Sequence, residues 1–130
     1  MNYVNWGKNL EFDVDRQHKA VVLELVGTID KYDPETPRIS LFGKDAIEAD
    51  LNLVVDLRRL DSIPNLLDLF DVANDIIDLY KINPHFKLGF VVKNKIQEGV
   101  ARKLRSFAHE EPNHINYSRS SEALLNWIAS

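Results

Sequence analysis

The sequence predicts a single α/β domain in which about four helices cover a mixed, mainly parallel sheet of about five strands. Three observations carry that prediction. Short apolar runs of strand length alternate with longer segments of helical periodicity. The first two runs are separated only by the polar "RQHK", which fits a hairpin and an antiparallel edge. Two later runs, "LNLVVDL" and "KLGFVV", are almost unbroken apolar stretches, the pattern of parallel strands covered on both faces.

In chain order, "LEFDVD" (Leu10–Asp15) alternates, with Leu10, Phe12 and Val14 on one face. "VVLELVG" (Val21–Gly27) is its hairpin partner. A turn-rich stretch follows, in which Thr36-Pro37 suits a helix start; Gly43 is expected to interrupt that helix before "KDAIEAD". After the third strand, Pro64 to Tyr80 is the clearest helix. Leu66, Phe70, Ala73, Ile77 and Tyr80 form its apolar stripe, and Asp68, Asp71, Asp75 and Asp78 lie opposite. "KLGFVV" is the fourth strand. Ile96 to His109 is a second good helix, with Ile96, Val100, Leu104, Phe107 and Ala108 inward. "INY" and "SSEALLNWIAS" add a short strand and a last helix, giving the order β-β-α-β-α-β-α-β-α.

Composition narrows the function. The 130 residues are those of one ordinary domain, and 45% of them are hydrophobic, enough for a buried core. A net charge of −4 gives no global field for nucleic acid, so no nucleic-acid partner is expected. With no cysteine, disulfides, thiol nucleophiles and cysteine-ligated zinc are excluded. The start "MNYVNWGKNLEF" does not read as a secretory signal, and no apolar run reaches the ~20 residues of a membrane span. A cytoplasmic protein without stable membrane insertion is expected.

The motifs point to a family. "VVLELVGTID", "LVVDLRRLD" and the closing "INYSRSSEALLNWI" resemble the STAS superfamily. "FKLGFVVKNKIQEGVARKLRSFA" with the "EALLNWI" ending is most similar to its SpoIIAA-like branch of small bacterial proteins. Gly99, Ala101 and Arg102 stand at that branch's glycine-alanine-arginine helix, Ala123 and Trp127 at its alanine-x-x-x-tryptophan. The resemblance spans about Leu10 to Ile128 and implies the SpoIIAA-like fold. Anti-sigma-factor antagonists of the superfamily carry a phosphorylated serine in an Asp-Ser-Ser/Thr-Gly motif after the third strand. Here "LDSIPN" offers Asp61 and Ser62 with neither the second serine nor the glycine.

The candidate sites follow. Ser62 reads as a helix cap or as a phosphorylation site steadied by Arg58 and Arg59. The Pro64–Tyr80 helix is apolar over about half its circumference, more than a core stripe of a little over ~100° needs. The surplus either packs on a neighbouring helix or forms a partner surface of Asp61, Pro64, Leu69, Val72 and Leu79. Lys95, Arg102 and Arg105 form a possible anion contact. The aspartate row reads as a solvated face. The four histidines, His18, His85, His109 and His114, form no i, i+4 pair, so no metal is expected and no cofactor either. Trp127 is expected to pack inward; Trp6 is free for an N-terminal anchor or a dimer contact. The leading expectation is a non-enzymatic regulatory or protein-interaction module with an unidentified protein partner, and a homodimer is open. The alternatives are a carrier of a small apolar or anionic, lipid-like ligand and an anti-sigma antagonist switched at Ser62.

Overall fold

The computed structural model describes residues 3–5, 10–27, 39–61, 66–108 and 114–130. Its strands are β1 (Tyr3–Asn5), β2 (Leu10–Asp15), β3 (Ala20–Gly27), β4 (Asn52–Leu60), β5 (Leu88–Val91) and β6 (Ile115–Ser118). Helices α1 (Ile39–Glu48), α2 (Leu66–Ile82) and α3 (Lys95–Phe107) follow β3, β4 and β5 in turn, and α4 (Ser121–Ala129) closes the chain. The α/β class and the expected element order hold. One strand is new: β1, three residues long, pairs antiparallel with the outer edge of β2, making six strands among the described residues instead of five.

The spatial order of the sheet is the sequence order, β1-β2-β3-β4-β5-β6. β1 to β3 pair antiparallel and β3 to β6 parallel. Successive crossovers that all step the same way, with the usual right-handed twist, place their helices on one face. The main core lies there. It joins Leu23, Leu53, Val55 and Phe90 of the sheet to Ala46 of α1, Ile76 and Leu79 of α2, and Leu104 of α3. The opposite face has a smaller cluster, in which Leu124 and Ile128 of α4 cover Ala20, Val54 and Val91, with Trp127 partly buried against them. Lys87 fixes the end of α4: its Nζ donates to the carbonyls of Trp127, Ile128 and Ser130 at 3.2, 3.3 and 2.8 Å. A cation there complements the helix C-terminus.

Two glycines set the packing distances. A Cβ on Gly43 would come within 2.4 Å of Leu79 Cδ1, so the glycine that was expected to interrupt α1 is instead where α1 meets α2 closely. A Cβ on Gly89 would come within 2.8 Å of Leu124, which rests directly on β5.

β4 contains a bulge. Glu24 of β3 pairs with Asp56, but Val26 pairs with Arg59, so Leu57 and Arg58 together oppose Leu25.

Candidate functional site

Open α/β sheets present their chemistry beyond the carboxyl ends of the parallel strands. At the end of β4, Asp56 is 6% exposed and is held by the neighbouring Arg58. The Arg58 backbone N–H and Nε donate to Oδ1 at 3.0 Å each, and Nη2 donates to Oδ2 at 2.8 Å. That hydrogen bonding raises the pKa of the Arg58 guanidinium, against the opposing effect of partial burial. Arg59 Nη1 donates to Glu24 Oε1 at 2.9 Å across the bulge. The two arginines expected to steady a phosphate thus hold carboxylates. Asp61 is exposed at the strand end; Ser62 and Pro64 lie outside the described residues.

The β5 end is tied to the same bulge. Asn94 caps α3, its side chain accepting from Gln97 N–H at 2.9 Å. The buried Gln97 donates from Nε2 to the Leu57 carbonyl at 2.7 Å and accepts from Lys93 N–H at 3.0 Å. Ile96, expected inward, is 58% exposed, and Gln97 occupies the interior instead. The bulge carbonyl supplies the reason, because a buried acceptor needs a donor. At the β6 end, Arg119 Nε donates to Glu98 Oε1 at 2.8 Å and Ser120 caps α4. This edge of the sheet is chiefly a structural network of satisfied polar groups.

The residues of the expected anion contact all lie on α3. Lys95 and Arg102 are exposed, while Arg105 is half-buried with its guanidinium 5.6 Å from the Tyr117 ring centroid. Among the described residues no group of three or more histidines, aspartates or glutamates is placed to hold a metal ion. His18 bonds Asp15 at 2.8 Å, and the carbonyl of His114 accepts from Tyr80 Oη at 2.6 Å. The described residues include no helix long and apolar enough to cross a membrane.

The α2 surface differs from its expectation. Leu69 is 4% and Leu79 0% exposed, and Val72 is partly buried against the main core. The surplus apolar arc is taken up by neighbouring helices, as the Leu79 contact with Gly43 shows. Leu69, Val72 and Leu79 therefore do not form a partner surface. The stripe is rotated by about one residue: Leu69, Ala73, Ile76 and Tyr80 are buried, and Phe70 is 44% exposed. Phe70 stacks on Phe107 of α3, with centroids 4.2 Å apart and planes inclined at 22°. Ile82 and Ile96 are 52% and 58% exposed on the same two helices. Sequence reading missed this pair because it puts Phe70 in the core stripe; Phe107, also expected inward, is partly buried against the main core. It also missed Gln97, although Asn-x-x-Gln at positions 94 to 97 is a capping-box signal.

No protein-family model matches the chain, and neither the curated proteins nor the solved structures contain a match to it.

Proposed function

We propose that this chain is a non-catalytic, STAS-like regulatory or interaction module that binds a protein partner through the face shared by α2 and α3. The observation that carries the reading is the Phe70–Phe107 stack, in which Phe70 is left 44% exposed on a Phe107 ring that is itself partly buried against the core. Exposed aromatic surface is costly to leave in water, and aromatic side chains anchor the centres of protein interfaces. The hairpin-edged parallel order supports the STAS-like likeness. Asp61, exposed just past the end of β4, is included in the reading as a candidate edge of that surface. The commitment of Arg58 and Arg59 to Asp56 and Glu24 counts against a phosphorylation switch at Ser62.

The test is capture from an extract of the source organism with immobilised wild-type chain and with a folded Phe70→Glu variant. A partner held by the wild type and weakened at least about tenfold by the variant, remeasured with both proteins pure, is the expected result. Equal capture by both chains removes the basis of the reading.

A further inference from the structure

Cations at several points of this fold are engaged within it. Arg58 and Arg59 hold Asp56 and Glu24, Arg119 holds Glu98, Lys81 meets Asp78, and Lys87 holds the end of α4. On α3 the pattern changes. Lys95, Arg102 and Lys103 are exposed, and none of them forms an ion pair among the described residues. At ~100° per residue they share one arc of about 100° with Gly99 and Ser106. That arc holds no acid, since Glu98 lies outside it and is bonded to Arg119. Ile96 borders the arc at 58% exposure, and Phe107, which carries the Phe70 stack, continues the same border. Gly99 stands in the middle of the arc with nothing within 4 Å of the position a Cβ would take. Glycine weakens a helix interior relative to alanine, and the described part of the chain draws no packing from this one.

We propose that the outer face of α3 binds a short acidic segment of the protein partner, its carboxylates on Lys95, Arg102 and Lys103 and an apolar side chain on Ile96. The inference rests on the partner-binding reading above and names the partner's chemistry. From Lys95 to Lys103 the cations span about 12 Å along the helix, just over two turns, a length that two or three carboxylates on one face of a helix match. Unpaired cations set the sign of the segment, and the apolar border asks for an apolar group beside its acids. The bare Gly99 position lets the backbone of the segment approach α3 closely. Net charge sets its size. A bilayer or a nucleic-acid duplex is an extended anionic surface and meets the field of the whole chain, which is −4. A short segment meets the strip alone, because salt screens the more distant charges.

The probe is a labelled synthetic helix of about 14 residues, with glutamates on one face beside leucines, matched in length to the 13-residue α3. Its control carries lysine in place of every glutamate. Fluorescence anisotropy with the full chain should show saturable binding of the acidic peptide, with a Kd of about 100 μM or below at low salt. The Kd should rise at least about tenfold in about 0.5 M salt, and the lysine peptide should not bind. Amide NMR shifts should fall on α3 from Lys95 to Ser106. Arg102→Glu with Lys103→Glu should weaken binding at least about tenfold. Gly99→Leu should fold with an unchanged or higher Tm and bind at least about fivefold more weakly. A Kd above about 1 mM, shifts centred away from α3, or a charge-reversed or Gly99→Leu chain that binds as well as the wild type overturns the proposal. Tighter binding to phosphatidylserine vesicles or to a DNA duplex than to the peptide overturns it too. The two readings fail separately: capture that depends on Phe70 but not on Arg102 and Lys103 keeps the module and loses the acidic segment, and peptide binding without Phe70-dependent capture does the reverse.

Discussion

The two faces of the sheet are covered very unequally. Among the described residues, three helices and the main core lie on one side, while the nine-residue α4 alone covers part of the other. The cause is topological. Strands laid down in sequence order commit every crossover helix to one face, and only the segment after the last strand is free to cross to the back. The antiparallel half of the back face is left with partly exposed groups such as Asp13, Val22 and Glu24. The difference teaches that stability here is concentrated in one layer, with α4 the more easily released.

The sharpest way to break that contrast is to open matched cavities. Phe90→Ala removes a 1% exposed ring from the main core and should cost about 3–5 kcal/mol. Leu124→Ala, at 1% exposure in the smaller cluster, should cost nearer the lower end of about 2–5 kcal/mol. Denaturant melts of the two variants compare the layers, and hydrogen exchange should show α4 opening before global unfolding. Equal losses and uniform protection would erase the distinction between the faces. Gly89→Ala sharpens it from the other direction. Its Cβ would meet Leu124 Cγ at 2.9 Å and press α4 off the sheet, a loss of about 1–3 kcal/mol read as a lower denaturation midpoint.

The smallest effect is at the β2–β3 turn, outside both layers. Burial raises the Asp15 pKa, but hydrogen bonds from the His18 backbone and ring outweigh it and hold the carboxyl below its ordinary value. A depressed carboxylate pKa contributes stability above the unfolded-state value and loses it as pH falls through the folded one. Asp15→Asn should therefore cost under about 1 kcal/mol at neutral pH, with the gap closing from about pH 4 downward. Thermal melts across that range check the sign: a gap that widens in acid contradicts it.

The same contrast explains what the sequence made legible. Strand and helix periods located the expected elements to within a few residues, because those periods follow from backbone geometry. The rotation of α2 was not legible. A helix apolar over half its circumference fits several orientations, and its neighbours α1 and α3 decide among them. Gly43 read as a break because the leucine that fills its place lies 36 positions away in the chain, at Leu79. The strand β1 is too short to show periodicity and is defined by the β2 edge it joins. Ser62, Pro64, Thr36-Pro37, Trp6 and His109 fall outside the described residues.

The bulge in β4 governs how this gene segment can change length. Side chains of a strand alternate between faces, so removing one residue from a regular stretch such as Leu53–Val55 would exchange inside for outside along everything beyond it. At Leu57–Arg58 the chain already carries one residue more than its partner strand. Losing Arg58 would leave Asp56, Leu57, Arg59 and Leu60 in strict alternation, each still on its own side. The strand thus counts in twos, and the bulge is the place where an odd deletion is absorbed. Such a deletion would give up the Arg58 clasp on Asp56 and the carbonyl geometry that Gln97 reads, but not the frame of the core.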